Sequence, residues 1–214
     1  MEEKIGSDQQ IGGLKRFVIV LLWTSFLYIG YQFTCHNQYF PVHYLPLTYI
    51  DKKIPFLVWT TIPYFILIGG MYLPMFIRDK KVFYQSLIAL TIAVCFNYCI
   101  FFFWPTVYER PPLPGGNSLG EIFYRYLMSI DGPANCFPSG HITAPGLGCY
   151  FLMRDRPRLK AVIIPVFILL SMSVLTTKQH YCWDILGGLF SIFLGVSLSA
   201  LWQRKSAVTC RAFD

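Results

Sequence analysis

Phe-Pro-Ser-Gly-His at residues 137–141 and His-Tyr-Cys-Trp-Asp at residues 180–184 each end a polar stretch and open an apolar one. Most of the apolar runs around them approach the ~20 residues that an α-helix needs to cross a bilayer. The fourth run is short unless its helix begins earlier, at Ser139. We therefore predict an all-α polytopic membrane protein, a six-transmembrane-helix bundle with short extracytoplasmic helices. The six runs are 17–34, 56–77, 83–104, 142–153, 159–177 and 185–202.

The composition favours membrane spans over a larger soluble core. Of 214 residues, 55% are hydrophobic and 14% are charged, whereas a soluble domain carries about 25% charged residues. The net charge of +7 comes from bases scattered between the apolar runs. Because these bases form no single stripe, we expect no nucleic-acid partner and membrane lipids as neighbours. We also expect no cleaved signal peptide, so that the first run remains as an anchor.

The distribution of basic residues predicts the orientation. Six spans put both termini on one side, and thirteen of the eighteen Lys and Arg residues fall in segments on that side. The positive-inside rule makes this side cytoplasmic. Both motifs then lie at extracytoplasmic ends of spans, in a bacterial inner membrane or a eukaryotic secretory-pathway membrane.

Three regions follow from this pattern. Residues 1–13 are expected to be a disordered cytoplasmic N-terminus, residues 14–205 a six-span membrane domain, and residues 206–214 a cytoplasmic tail. Two longer outer segments, about 35–55 and 105–137, separate the spans. Within the second, residues 120–130 predict a short helix lying on the membrane.

The first motif has the features of an anion-binding helix start. Pro138 stops any preceding helix, and Ser139 is a favoured N-cap residue. Gly140 lets another group approach the backbone closely. The helix would direct its free N–H groups and the positive end of its dipole outward, which suits a phosphate. An ordinary Pro-Ser start to a span is the alternative, but His141 beside lipid is costly without a purpose.

The second motif pairs an imidazole with a carboxylate. His180 and Asp184 are four residues apart and share one helical face. A carboxylate on one ring nitrogen fixes the tautomer and leaves the other nitrogen free to attack. Asp184 alone would be a plain N-cap. With the Ser-Gly-His string on the same side of the membrane, the pair indicates a catalytic site.

A phosphate also needs cations. Arg110, held by the two prolines that follow it, can bond two phosphate oxygens at once. Lys178 is two residues before His180 and can add a point charge, although a solvated interfacial base is the alternative for either residue.

No cluster has the spacing of a zinc site, so we expect neither a metal nor a cofactor. Seven cysteines are present, and a disulfide among those near the outer ends of spans is conceivable. They are Cys35, Cys136 and Cys182.

These strings resemble the type 2 phosphatidic acid phosphatase superfamily of lipid phosphatases and phosphotransferases. Its second motif, Pro-Ser-Gly-His, is intact at 138–141, and its third keeps Ser173, His180 and Asp184. The expected lysine and arginine positions hold Phe103 and Val174 instead. The strings at 104–111, 135–139 and 176–181 look like the branch with inositol-phosphorylceramide and sphingomyelin synthases.

The resemblance implies a mechanism and a substrate class. His180 would attack phosphorus and form a phosphohistidine, oriented by Asp184, while His141 serves as acid and then base. Phosphoryl oxygens would be held by Arg110, Ser139, Gly140 and Lys178. We favour a lipid-phosphate phosphatase acting on a lipid phosphomonoester or diphosphate. Two alternatives remain open: a lipid phosphotransferase, and a non-catalytic lipid-phosphate binder or small membrane transport protein.

Overall fold

A computed structural model describes residues 10–211 of the chain, with side chains for residues 10–204. This part of the chain is helical, and its extended backbone pairs only in two isolated bridges, one of which joins Gln10 and Asp79. The all-α prediction is therefore confirmed for the residues described. The helices are α1 Gly13–His36, α2 Tyr49–Lys53, α3 Thr61–Gly69, α4 Lys80–Phe103, α5 Leu119–Ile130, α6 Gly140–Asp155, α7 Lys160–Ser171, α8 Ser173–Thr176 and α9 Cys182–Arg211.

Five helical segments are long and apolar enough to span a membrane, which indicates an integral membrane protein. They are Gly13–His36, Val58–Phe76, Lys80–Phe103, Pro157–Thr176 and Cys182–Arg204. The second and fourth of these combine an α-helix with adjoining 3₁₀ or short helical turns. The remaining run forms α6, which has 16 residues and begins directly after Ser139. The count of six spans stays a prediction.

Helix α6 lies in the middle of the bundle, where it contacts α3, α4, α7 and α9. Small residues allow this close packing. A Cβ atom on Gly148 would lie 2.2 Å from the carbonyl oxygen of Gly70, and one on Gly188 of α9 would lie 2.9 Å from that of Ser139. Glycine at both positions lets backbones meet without side chains between them. The N-termini of α6 and α9 are thereby brought side by side.

The outer segments contain the predicted short helix. Helix α5 begins after Ser118, whose hydroxyl accepts the Glu121 N–H while the Glu121 carboxylate accepts the Ser118 N–H. This reciprocal capping box fixes the helix start one residue earlier than the predicted 120. Its place on the membrane surface stays a prediction.

The structure describes both chain ends in part. Ile11 is buried and its N–H donates to the Arg78 carbonyl, so this residue packs against the bundle. Disorder of residues 1–13 as a whole stays a prediction. Residues 1–9 lie outside the described part. At the other end α9 continues through Arg211, into the predicted tail, and residues 212–214 lie outside the described part.

Hydrogen bonds tie the chain near Thr106, Phe137 and Tyr181 together at the start of α6. The Phe137 N–H donates to the Thr106 hydroxyl at 2.7 Å, and the Tyr181 hydroxyl donates to the Val107 carbonyl at 3.0 Å. The Ser139 N–H donates to the Asp184 carbonyl at 3.0 Å. These bonds bring the two sequence motifs to one end of the bundle. The three cysteines considered for a disulfide are all free: Cys35, Cys136 and Cys182.

Candidate active site

The two motif histidines are in direct contact. His141 comes from the first turn of α6, and His180 comes from the turn that precedes α9. Their facing nitrogens, Nδ1 of His141 and Nε2 of His180, are 2.9 Å apart. The structure therefore brings together two imidazoles that the sequence places 39 residues apart.

Asp184 fixes the orientation of His180. Its Oδ2 atom lies 3.0 Å from His180 Nδ1 and also accepts the Tyr181 N–H at 2.9 Å. The Cys136 carbonyl oxygen lies 3.1 Å from the same Nδ1. Two acceptors beside Nδ1 favour the tautomer that carries its proton there. The lone pair of His180 is then on Nε2, the nitrogen that faces His141.

Ser139 occupies the N-cap position of α6, as predicted, but its hydroxyl does not cap the helix. The Ser139 Oγ atom is buried and has no hydrogen-bond partner. A buried hydroxyl without a partner calls for an explanation, and a substrate oxygen would supply the missing bond. Beside it, a Cβ atom on Gly140 would meet no atom within 4 Å, so the backbone is open to an approaching group.

Arg110 lies beside the Asp131 carboxylate, a contact that the sequence did not predict. Its Nη1 atom donates to the Asp131 carbonyl at 2.6 Å, and its Nη2 atom lies 3.4 Å from Asp131 Oδ2. Nη2 also donates to the Gly132 carbonyl, and Nη1 to the Met128 sulfur. The buried Nε–H has no partner. Four of the five guanidinium donors are therefore directed at the protein itself.

Asp131 links Arg110 to the first helix. The Tyr31 hydroxyl donates to Asp131 Oδ1 at 2.5 Å, while Oδ2 faces Arg110. Burial raises the pKa of the Asp131 carboxyl above its usual range, and the nearby guanidinium opposes that rise. The sequence contained one usable signal, an acidic residue just before the Ser-Gly-His string, but its partners come from distant segments.

Lys178 adopts a left-handed backbone conformation, with φ of 53°. Its ammonium donates to the backbone carbonyls of Asp51 at 2.9 Å and Ile54 at 2.6 Å. Two of its three donors are therefore occupied within the outer segments, and its role in phosphate binding stays a prediction. The positions where the resemblance expects two further cations hold an exposed Phe103 and a fully buried Val174.

A cavity of about 520 Å³ reaches His141 from within the bundle. Its walls come from α1, α3, α4 and α6 and are mainly apolar, with side chains such as Leu27, Leu90 and Val94. Gly140, His141 and Asp131 line the same cavity. It therefore joins a polar site to an apolar space of the kind that a hydrocarbon chain can fill.

Three side chains, His180 and two neighbours, also have the donor types of a metal site. Ligand atoms of Cys136, His180 and Asp184 all lie within 4.8 Å of one another. In the structure His180 Nδ1 already faces the Asp184 carboxylate, so a metal ion would compete with that contact.

The fold and the site together define a class of protein. It is a helical membrane protein in which a histidine–histidine–carboxylate chain lies beside a helix that starts with Ser-Gly. The family model of the PAP2 superfamily matches residues 56–198, well over half of the chain. The chain therefore belongs to the PAP2 superfamily, and this membership supports a function of the phosphatase or phosphotransferase type. No curated protein and no solved structure matched the chain.

Proposed function

We propose that the protein is a lipid-phosphate phosphatase that works through a phosphohistidine. The observation that carries the proposal is the His141–His180–Asp184 chain, with 2.9 Å between the imidazoles and 3.0 Å to the carboxylate. It supplies a nucleophile, an orienting carboxylate and a second imidazole for proton transfer.

In the first step His180 Nε2 attacks phosphorus, an N–P bond forms and the ester P–O bond breaks. His141 gives its proton to the departing oxygen, and Asp184 stabilises the cationic ring. In the second step His141 takes a proton from water, the water oxygen attacks phosphorus and the N–P bond breaks. Phosphate leaves and both histidines return to their starting states.

The developing charge on the phosphoryl oxygens needs fixed donors. The proposed donors are the Ser139 hydroxyl, the Gly140 N–H, the Arg110 guanidinium and the Lys178 ammonium. The unpartnered Ser139 Oγ and Arg110 Nε–H support this assignment for two of them. With these groups the proposed reaction needs no metal ion.

The cavity supports a lipid as the substrate. Its apolar walls end at Gly140 and His141, so a tail can lie between the helices while the phosphoryl group meets the histidines. By the distribution of basic residues, the site faces the extracytoplasmic side and the termini are cytoplasmic.

Release of inorganic phosphate from purified protein in detergent tests the proposal. Phosphatidic acid, phosphatidylglycerol phosphate and an isoprenyl diphosphate serve as substrates, with EDTA present. Wild-type protein should release phosphate and carry an acid-labile phosphoryl group. His180→Ala should do neither, while His36→Ala, a change at an exposed histidine, should behave like wild type. Appreciable residual turnover in His180→Ala would overturn the proposed mechanism.

The same assay identifies the group that accepts the phosphoryl group and distinguishes the proposed phosphatase from the alternative functions. Chromatography of products formed with added lipid or sugar alcohols distinguishes hydrolysis from head-group transfer, as in inositol-phosphorylceramide or sphingomyelin synthases. Saturable lipid-phosphate binding without turnover would indicate a non-catalytic binder. Movement of a solute across vesicles without turnover would indicate a transport protein.

A further inference from the structure

The carboxylate of Asp131 competes for the cation that the proposed reaction needs. Asp131 is 8% exposed and accepts hydrogen bonds from Tyr31 on one oxygen and Arg110 on the other. It lines the same cavity as His141. A buried carboxylate beside a phosphate-binding guanidinium is costly, because it offsets the positive charge that would attract the substrate.

The contacts of Arg110 show how the exchange can occur. The backbone carbonyls of Asp131 and Gly132 hold Nη1 and Nη2 at 2.6 Å or closer. The contact of Nη2 with the Asp131 carboxylate is longer, at 3.4 Å. Among the contacts of the guanidinium with oxygen atoms this one is the longest, so it is the one most easily given up. Nε–H is already unpartnered, so release of Nη2 from the carboxylate gives a two-pronged donor for phosphoryl oxygens. The anchoring carbonyls keep the guanidinium in place meanwhile.

The surrounding charges determine what the site can hold. Asp131 and Asp184 bring two carboxylates to a site in which Arg110 is the directly placed cation. Two of the three Lys178 donors bond to the carbonyls of Asp51 and Ile54, which leaves one for a phosphoryl oxygen. Two cations then face two carboxylates, so a phosphoryl group with two negative charges would meet more uncompensated repulsion than one with a single charge, which would replace the carboxylate at Arg110 at lower cost.

We infer that Asp131 determines the charge of the phosphoryl group that the site accepts. Its carboxylate yields the Nη2 donor of Arg110 to the substrate but remains beside it, held by Tyr31. The site therefore prefers a singly charged phosphoryl group, either a lipid phosphodiester or a monoester that carries one proton, to a doubly charged one. This inference rests on the proposed function, because it concerns the same site.

Binding of two matched probes to purified protein in detergent tests it. The probes are a long-chain alkylphosphonate and its monomethyl ester, compared by calorimetry at a pH where the phosphonate is doubly ionised. Wild-type protein should bind the ester at least as tightly as the phosphonate. Asp131→Asn keeps the size of the side chain and removes its charge. It should tighten phosphonate binding by at least about 10-fold and change ester binding by less than about 3-fold.

Two further variants keep the result interpretable. Tyr31→Phe removes one anchor of the carboxylate and should shift phosphonate binding in the same direction, by about 3-fold. If Asp131→Asn does not fold, phosphonate binding by Tyr31→Phe tests the inference in its place. Asp155→Asn removes a buried carboxylate at the other end of α6 and should change neither affinity.

The outcomes separate this inference from the proposed function. Equal changes for both probes in the Asp131 variant, or tighter binding of the phosphonate than of the ester by wild type, would overturn the inference alone. If neither probe binds wild-type protein saturably, both the inference and the proposed function fail.

Discussion

Nδ1 of His141 and Nε2 of His180 are 2.9 Å apart, so the proposed nucleophile is hydrogen-bonded to the proposed acid. A phosphorus atom attacked by Nε2 has to come between these two rings. His141 must therefore turn away from His180 as the substrate enters, while His180 stays fixed by Asp184 and the Cys136 carbonyl. The carboxylate, on the far side of the ring, keeps its contact throughout.

Asp184→Asn should lower kcat far more than it raises KM. An asparagine amide favours the wrong tautomer of His180 and cannot stabilise the cationic ring, so we expect a loss of about 10³-fold or more in kcat. Steady-state phosphate release measures it, and the melting temperature in detergent reports on folding. Asp155→Asn is the control, because it is a buried carboxylate away from the histidines. A kcat within about 10-fold of wild type would contradict an orienting role for Asp184.

Ser139→Ala should separate catalysis from helix capping. The Ser139 hydroxyl makes no capping bond, so its loss should leave the melting temperature nearly unchanged and lower kcat roughly 10- to 100-fold. Ser118→Ala is the matched variant, since the Ser118 hydroxyl does cap α5. It should cost about 1 kcal/mol of stability and leave kcat unchanged. The reverse pattern would assign Ser139 a structural role.

The sequence was sufficient for the parts of this architecture that depend on local pattern. Apolar runs predicted helices, the Pro-Ser-Gly string predicted the start of α6, and the pattern of residues 120–130 predicted α5 to within one residue of its start. The spacing of His180 and Asp184 correctly predicted their contact, but not its reason: His180 lies in the turn before α9, so the two residues do not share a helical face. Each of these features is fixed within a few residues of chain.

Contacts between distant segments were not predictable in the same way. The Tyr31–Asp131–Arg110 chain joins α1 to the second outer segment, and no periodicity connects Tyr31 with Asp131, 100 positions further along the chain. The Lys178 contacts with the carbonyls of Asp51 and Ile54 depend on how the first outer segment folds back. Their positive charge alone was the basis for predicting that Arg110 and Lys178 bind a phosphate. The groups that these two side chains actually contact depend on tertiary packing.

The Asp51 carboxylate should stabilise the outer segments at neutral pH, and this stabilisation should be lost in acid. Burial alone would raise the pKa of the Asp51 carboxyl, but hydrogen bonds from Thr48 and the Cys182 N–H lower it below the usual 3.8. A folded-state pKa below the unfolded one gives stability above pH 3.8 that is lost as pH falls through the folded value. The melting temperature of Asp51→Asn should therefore lie below wild type at neutral pH, and the gap should narrow in acid.

The matched variant for this titration is Glu109→Gln, since Glu109 is an exposed carboxylate on another outer segment. Its melting temperature should follow that of wild type at every pH. A constant gap between wild type and Asp51→Asn across the acid range would show that the Asp51 charge contributes nothing to the fold.

The cavity should determine how long a lipid tail the enzyme prefers. Ser25 lines its wall on α1, whereas its neighbour Phe26 points elsewhere and is exposed. Ser25→Trp would fill part of the 520 Å³ and remove the apolar contacts that a long tail gains. Since each buried CH₂ is worth about 0.8 kcal/mol, loss of two or three such contacts lowers kcat/KM for long chains by roughly 10- to 60-fold. Short-chain substrates should be turned over as by wild type. Phe26→Trp should leave the chain-length profile unchanged, and an equal loss for short and long tails in Ser25→Trp would exclude the cavity as the tail site.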